Sequence, residues 1–181
     1  MAVQLEQEVV AKELLLNMKT YFTYLLVFVS MVSFSQETIS DLLKKHNTHS
    51  IPYISVQELA MPKTEAIILD ARELKEFNTS HIKNAINVGY DFFDINSIRN
   101  IISNKETTIV VYCSVGIRSE TIAEKIINLG YKNVFNLYGG IFEWKNNNFP
   151  LYNSSSELTD EVHTFSKEWS PWLTKGIKVY E

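Results

Sequence analysis

The sequence predicts an α/β fold built on a mainly parallel sheet. Two observations support this prediction: short apolar runs have the composition of buried strands, and amphipathic helical segments lie between them. The strongest strand is at residues 107–112, which are rich in β-branched side chains. The strongest helix follows it and is expected to end at Gly130.

The remaining elements are assigned in chain order. Further strands are predicted at residues 66–69, 85–88 and 133–137. Further helical segments are predicted at residues 37–47, 55–60, 73–77, 95–102 and 141–145. Ser55 is expected to cap the second of these helices, with Glu58 completing a capping box. This alternation is the order of a parallel sheet with right-handed crossovers.

Composition narrows the classes of function. The chain has 181 residues, of which 45% are hydrophobic and 21% are charged, close to the average of globular proteins. These values exclude a disordered chain, collagen and a polytopic membrane protein. The net charge of −4 gives no electrostatic case for a nucleic-acid partner, which requires a basic face. Because Cys113 is the single cysteine, neither an intramolecular disulfide nor a thiolate zinc cluster is possible.

The N-terminal 35 residues are predicted to be an extension followed by a secretory signal. Residues 20–36 carry no charge, Lys19 precedes them, and small serine residues stand before an expected cleavage site after Ser35. The first 17 residues are acidic, so Met18 is the expected true start. The alternatives are an uncleaved anchor, for which the apolar run is short of the ~20 residues a span needs, and a buried helix.

A signal of this kind predicts an extracytoplasmic protein, periplasmic or secreted, or a membrane-anchored one if it stays uncleaved. The rest of the chain is divided into a helical lead-in at residues 36–59, a central domain at 60–152 and an aromatic tail at 153–181. The tail is expected to pack on the domain as a helix or an irregular segment. A more specific alternative places the tail over the loop that follows Cys113, with His163 directed toward that loop.

Cys113 directly follows the strongest strand, and Gly116 and Arg118 follow it before the next helix. In a parallel α/β sheet, that helix directs its N-terminus toward the carboxyl end of the strand. Its free amides and its dipole favour an anion there, and Gly116 permits a backbone conformation that a Cβ atom would resist. We therefore predict an anion-binding loop around an ionised, solvent-accessible Cys113 thiolate whose pKa is below about 8.5.

Two alternatives stay open at this loop. Cys113 could be a buried apolar residue at a strand end, since free cysteine is among the most buried residue types. The order of strand, cysteine, glycine-containing loop, arginine and helix favours a reactive thiol instead. Arg118 could contact a substrate anion, brace the loop or lie on the surface.

Four motifs resemble those of the rhodanese-like domain family. They lie at residues 68–77, 80–87, 111–119 and 130–144. The second motif departs from the family pattern, with Ser80, Lys83 and Asn84 at positions of Gly, Pro and Gly. The resemblance covers about residues 60–152 and implies a mainly parallel five-stranded sheet flanked by helices on both faces.

The resemblance also implies a sulfurtransferase. Cys113 would attack a sulfane sulfur and carry it as a persulfide, which a thiol, cyanide or a protein acceptor would then remove. The substrate-binding loop would consist of Ser114, Val115, Gly116, Ile117 and Arg118. Asp70 and Arg72 would brace this loop, unless they form only a structural ion pair, and His81 would have a structural role. No metal and no organic cofactor is implied.

The length of the loop separates this activity from a related one. From Cys113 to Arg118 the loop has six residues, one fewer than in the related cell-cycle dual-specificity phosphatases, so phosphatase or arsenate reductase activity is the weaker alternative. A non-turnover sulfur-relay or protein-interaction module is the other. Since the loop carries little charge besides Arg118, the donor could be thiosulfate, a persulfide or a polysulfide, and we expect weak thiosulfate:cyanide activity.

Overall fold

The computed structural model describes residues 2–31 and 37–180, with backbone alone for residues 2–7, 9 and 25–31. The chain divides into two compact units, residues 1–37 and 38–181. In the first unit, α1 (Ala2–Met31) is a helix of 30 residues whose described side chains are exposed.

The predicted signal segment lies partly in α1. Its cleavage site, after Ser35, is outside the described residues. Across the part of the chain that the structure describes, no helix combines the length and the apolar character that crossing a bilayer requires.

The second unit is built on a five-stranded parallel sheet, which confirms the predicted fold class. Its strands are β1 (Tyr53–Ile54), β2 (Ile67–Asp70), β3 (Ile86–Asn87), β4 (Thr108–Tyr112) and β5 (Asn133–Leu137). They are ordered β1-β5-β4-β2-β3, and every neighbouring pair is parallel. The sequence did not predict β1, because two residues between Pro52 and Ser55 are too few to show a pattern.

Helices cover both faces of this sheet, as expected. They are α2 (Ile39–His46), α3 (Val56–Leu59), α4 (Leu74–Thr79), α5 (Ile95–Ile101), α6 (Arg118–Asn128) and α7 (Gly140–Asn146). One core joins α2, α3 and α7 to Val110 and Tyr112 of β4. The other joins α5 and α6 to Ile109 and Val111 of the same strand. Because alternate residues of β4 are buried on opposite faces, its sequence is continuously apolar.

Three local conformations explain where elements begin and end. The Ser55 hydroxyl accepts a hydrogen bond from the Glu58 amide at 3.1 Å and caps α3. Gly130 follows α6 with a φ of +90°, a conformation that stops a helix. Asn84 has a φ of +61°, where the family motif has glycine, and asparagine tolerates this region better than most residues.

The C-terminal tail packs on the domain, and apart from a 3₁₀ helix at Ser170–Trp172 it consists of short strands and irregular segments. β6 (Leu151–Tyr152) pairs with β7 (Leu158–Thr159), and β8 (Glu161–His163) pairs with β9 (Ile177–Val179). Val162 and Leu173 are buried in the same core as α7. Val162, Phe165, Trp169 and Trp172 stand three or four residues apart in the sequence, a spacing typical of an α-helix. In the structure they lie on strand β8, in turns and in the 3₁₀ helix instead.

Candidate active site

Cys113 lies at the carboxyl end of β4, and α6 begins five residues later at Arg118. Its Sγ accepts a hydrogen bond from the Gly116 amide at 3.2 Å, and the Ser119 hydroxyl lies 3.5 Å from it. Gly116 has a φ of +108°, which confirms the conformation expected from the sequence. The sulfur thus lies inside a loop that bends back over it.

The carbonyl groups of the loop are held by neighbouring elements. Cys113 O accepts from the Ile141 amide at 2.9 Å, and Ser114 O accepts from the Phe142 amide at 3.1 Å. These two donors are in the first turn of α7, where amides have no partner within the helix. A Cβ atom on Gly140 would overlap Cys113 O and would lie 2.7 Å from Ser114 O. This glycine therefore allows α7 to approach the loop.

Two asparagines fix the middle of the loop. Asn136 of β5 donates to Gly116 O at 2.8 Å, and Asn47 donates to the same oxygen at 2.9 Å. The Oδ1 atom of Asn136 accepts from the Ser119 hydroxyl at 2.7 Å. Ser119 also lies against Sγ. Asn136 therefore holds both Gly116 of the loop and Ser119, the residue whose hydroxyl contacts the sulfur.

Arg118 braces the loop through a bidentate pair with a carboxylate. Its Nη1 and Nη2 atoms donate to the two carboxylate oxygens of Glu76 at 2.8 and 2.7 Å. Nη2 also donates to the Ser114 hydroxyl at 3.0 Å. Of the roles left open by the sequence, the brace is the one these contacts show, and Glu76 shares the charge of Arg118 with the thiol.

The surroundings of Cys113 favour its thiolate. Burial by itself would raise the pKa of the thiol, but the charge of Arg118 and the hydrogen bonds from Ser119 and Gly116 outweigh it and lower the pKa below its ordinary value. Burial also opposes ionisation of Glu76, whose pKa is nevertheless lowered because Arg118 and Arg72 stabilise the carboxylate. The site therefore brings together a thiol whose ionisation is favoured, a guanidinium and a carboxylate.

A cavity of about 210 Å³ lies directly above the sulfur. It is lined by Cys113, Ser114, Val115, Ile117, Arg118, Phe165 and Trp169. Among these described residues, Arg118 is the only charged one. The cavity is thus an almost apolar chamber with Cys113 in its wall.

The sequence predicts that Cys113 is open to solvent, and this expectation is wrong, because the residue is only 1% exposed. The Gly116 amide and the Ser119 hydroxyl lie against the sulfur, and Phe165 and Trp169 of the tail line the cavity beside Cys113. His163 is not one of the residues that line the cavity. It is buried, and its Nδ1 accepts from the Phe165 amide at 3.1 Å. The tail therefore overhangs the site with aromatic rings and not with an imidazole.

Asp70 and Arg72 lie behind the loop. They form a fully buried pair with a shortest N–O distance of 2.6 Å, and Arg72 also donates to Ser80 O at 2.6 Å. Tyr112, which immediately precedes Cys113, has a pKa raised well above its ordinary value by burial and by the nearby Asp70 carboxylate, and its hydroxyl accepts from the Ile82 amide at 3.2 Å. Neither Asp70 nor Arg72 lines the cavity. Arg72 lies over the ring of Tyr112, 5.5 Å from its centroid, and its charge also stabilises Glu76, the partner of Arg118.

His81 has the structural role expected of it. Its ring stacks on Phe77 with centroids 4.0 Å apart, and its Nδ1 lies 3.1 Å from Phe77 O. Its backbone forms an antiparallel bridge with Tyr152.

Several residues of the site were not predicted from the sequence. Glu76 was noted only as part of a motif, and its position after the Asp-x-Arg-Glu segment was the available signal. The other missed residues are Asn47, Ser119, Asn136, Phe165 and Trp169. No local sequence pattern identifies the two asparagines and the two aromatic residues as neighbours of the loop, because they come from three separate segments, with Phe165 and Trp169 together in the tail.

A comparison with protein families matches the rhodanese-like domain to residues 55–147, just over half of the chain. A thiosulfate sulfurtransferase, GlpE, from Coxiella burnetii is 30% identical over 95 residues, which are 52% of this chain and 85% of that protein. A tRNA uridine(34) hydroxylase from Hamiltonella defensa is 31% identical over 113 residues, 58% of this chain but 32% of that one.

Solved structures share the fold at lower identity. A thiosulfate sulfurtransferase from Pseudomonas aeruginosa superposes with a TM-score of 0.53 at 22% identity, covering 68% of this chain and 23% of that one. The BH2092 protein from Bacillus halodurans superposes with a TM-score of 0.51 at 21% identity, covering 64% and 86%. Taken with the matched family, the loop around Cys113 and the five-stranded sheet lead to one assignment: this chain belongs to the rhodanese-like domain family.

Proposed function

We propose that the protein is a sulfurtransferase that carries sulfane sulfur as a persulfide on Cys113. The observation that carries the proposal is the position of Cys113, in the wall of a cavity and with Sγ within 3.2 Å of a loop amide. Its lowered pKa supplies the thiolate that such a reaction needs.

The first step is attack by the Cys113 thiolate on the outer sulfur of a donor. With thiosulfate, a bond forms between Sγ and that sulfur, the sulfur–sulfur bond of the donor breaks, and sulfite leaves with the electron pair. The product is a Cys113 persulfide anion. The amides of the loop and the first turn of α6 stabilise the negative charge on the sulfur.

The second step returns the enzyme to its thiolate. Cyanide or a thiolate attacks the outer sulfur of the persulfide, and Sγ leaves with the electron pair. Thiocyanate or a new persulfide is released. Arg118, Ser119 and Gly116 stabilise the thiolate in both steps, so neither step needs a metal or an organic cofactor.

The charge of the cavity argues against a dianionic substrate. Arg118 is paired with Glu76 at 2.7 Å, so its positive charge is shared with that carboxylate. Bringing a dianion into an apolar chamber has a large desolvation cost unless charge partners meet it. This supports weak turnover of thiosulfate, and it also disfavours phosphate esters and arsenate, the substrates of the alternative activities.

The experiment is intact-mass measurement after incubation with thiosulfate. The wild-type mass is expected to rise by about 32 Da, one sulfur atom, and to return to its starting value when cyanide is added. Cys113→Ser, the matched control, should show no adduct. A wild type that gains no mass, or a serine variant that gains the same mass, contradicts the proposal.

Multiple turnover separates an enzyme from a relay module. Continued thiocyanate release with thiosulfate and cyanide is expected from an enzyme. A persulfide that forms once and passes only to a protein acceptor would instead identify a sulfur-relay domain. High turnover at micromolar thiosulfate would contradict the argument from charge.

We further propose that the chain is exported, with translation from Met18 and cleavage after Ser35. The uncharged stretch at residues 20–36 supports this. N-terminal sequencing of the protein recovered from outside the cytoplasm tests it, and a first residue of Gln36 is expected. Recovery of the uncleaved chain in the membrane fraction would support the anchor instead.

A further inference from the structure

The cavity above Cys113 has a wall that comes from outside the family domain. The family match ends at residue 147, whereas Phe165 and Trp169 belong to the tail. These two rings and the side chains of Val115 and Ile117 form most of the apolar lining. The shape of the chamber is therefore set partly by a segment that lies beyond the residues matched by the family.

Phe165 is held in an unfavourable backbone conformation. Its φ is +65°, and the Ser166 amide donates to Thr164 O at 2.7 Å, so the chain makes a γ-turn centred on Phe165. A bulky residue at positive φ is a true outlier, and such strain concentrates at functional sites.

Neighbouring contacts maintain this turn. The amide of Phe165 donates to His163 Nδ1 at 3.1 Å. Thr164 is anchored to β9, because its amide donates to Val179 O at 2.9 Å. The ring of Phe165 lies over the Arg118 guanidinium, 5.3 Å from its Cζ. The strain therefore places an aromatic ring against the catalytic loop.

Trp169 is also fixed. Its ring packs against the core and lies 5.5 Å from that of Trp172. Asn146, in the last turn of α7, donates to Trp172 O at 2.9 Å and accepts from the Thr174 amide at 2.8 Å. The segment that carries Phe165 and Trp169 is thus attached to the domain on both sides, through Thr164 before the two rings and through Trp172 and Thr174 after them.

We propose that Phe165 and Trp169 form a binding site for the apolar group of the sulfur donor. They favour a monoanionic sulfane-sulfur donor with a flat apolar group over the thiosulfate dianion. This inference rests on the proposed sulfurtransferase function. An apolar cavity of about 150 Å³ can hold benzene, so a chamber of about 210 Å³ can accommodate a phenyl-sized group beside the reacting sulfur.

Charge supports the same donor class. A monoanion has a smaller desolvation cost than a dianion in this chamber, where Arg118 is shared with Glu76. The thiolate attacks the outer sulfur of a thiosulfonate, a sulfur–sulfur bond forms at Sγ, and the donor's own sulfur–sulfur bond breaks. A sulfinate leaves with the electron pair, so atoms and charge balance without an oxidant or reductant.

The test compares three donors that react in the same way: thiosulfate, methanethiosulfonate and benzenethiosulfonate. The rate of persulfide formation on Cys113 is followed by intact mass. In the wild type, benzenethiosulfonate is expected to react at least about tenfold faster than methanethiosulfonate at equal subsaturating concentration, as an apolar pocket distinguishes groups of different size. Thiosulfate is expected to be slowest.

Two variants remove the wall separately. Phe165→Gly deletes the ring and relieves the positive φ, so the turn is preserved, and Trp169→Leu removes the indole but keeps an apolar side chain. Each is expected to lower the preference for the phenyl donor several-fold, with less effect on methanethiosulfonate. Phe92→Ala, which removes a phenyl ring that is 93% exposed and outside the cavity, is the matched control and should leave the preference unchanged.

The outcomes distinguish the two proposals. If no donor produces an adduct on Cys113, the sulfurtransferase function is wrong. If adducts form but the wild type shows no preference for the phenyl donor, the proposed binding site for an apolar donor group is wrong, whereas the proposed sulfurtransferase function is retained. The same holds if both variants keep the wild-type preference while their thermal unfolding curves show a folded domain.

Discussion

Replacing Gly140 with alanine should disturb the catalytic loop from behind. The added Cβ atom would overlap Cys113 O and lie 2.7 Å from Ser114 O, both of them backbone atoms that cannot rotate away. The same substitution forces a residue with a Cβ atom into a φ of +54°. The loop must move away from α7, or the helix must move away from the loop.

The expected size of the effect has two parts. A left-handed backbone costs about 1–2 kcal/mol for a residue other than glycine. The overlap adds about 1–3 kcal/mol of overpacking, and it weakens the bonds from Ile141 and Phe142 to the loop carbonyls, worth about 1 kcal/mol each. We therefore expect Gly140→Ala to reduce the free energy of unfolding by about 4 kcal/mol.

Gly130→Ala is the matched control. Gly130 has a φ of +90°, but a Cβ atom there would meet nothing within 4 Å, so only the backbone cost applies. Urea unfolding should show a loss of about 1 kcal/mol for this variant. The alkylation of Cys113 should be altered by Gly140→Ala alone. Equal stability of the two variants would refute the reasoning, because the contact with the loop would then have no measurable effect.

Three further predictions concern the groups around the sulfur. Arg118→Gln should raise the pKa of Cys113, since the charge that favours the thiolate is removed, and the midpoint of alkylation against pH should move upward; Arg118→Lys should move it less. Glu76→Gln should cost about 2 kcal/mol at pH 7 because a charged hydrogen-bond partner is lost. The pKa of Glu76 is lowered on folding, so the unfolded chain binds more protons, and the contribution of Glu76 is present above about pH 4.3 and disappears as pH falls further. Below that pH, the free energy of unfolding measured in urea should therefore fall more steeply for the wild type than for Glu76→Gln. The same pH dependence in both proteins would contradict a stabilising Glu76–Arg118 ion pair. Asn136→Ala should lose about 2 kcal/mol and slow the alkylation of Cys113 near neutral pH, since Gly116 O and Ser119 lose a common partner; unchanged values for both would contradict its role.

Local patterns predicted most of the fold. β4 and α6 were visible because β-branched residues mark one and helical periodicity the other, and their order along the chain identified the loop between them. Gly116 was expected to allow a left-handed or tightly curved loop and Gly130 to end the helix, and both glycines have a positive φ. β1 was missed because its two residues are too few for any periodicity.

The partners of the loop were harder to predict because folding brings them from distant positions. Glu76 is 42 residues from Arg118 in sequence, and Asn47 is 69 residues from Gly116. Nothing in the local sequence distinguishes Asn47 from a surface residue, and the motif that contains Glu76 did not identify Arg118 as its partner. Phe165 lies in the tail, which was expected to pack on the domain, and only the folded structure shows that its ring lines the cavity and lies over Arg118. The exposure of Cys113 was predicted wrongly for the same reason.

The central claim is that the loop holds Cys113 as a reactive thiolate reached through the cavity. The most direct measurement is the rate of alkylation by iodoacetamide as a function of pH, which reports on this residue alone because it is the single cysteine. We predict a titration midpoint below about 8.5, the value of a free cysteine. A midpoint at or above that value, or no alkylation until the protein unfolds, would contradict the account.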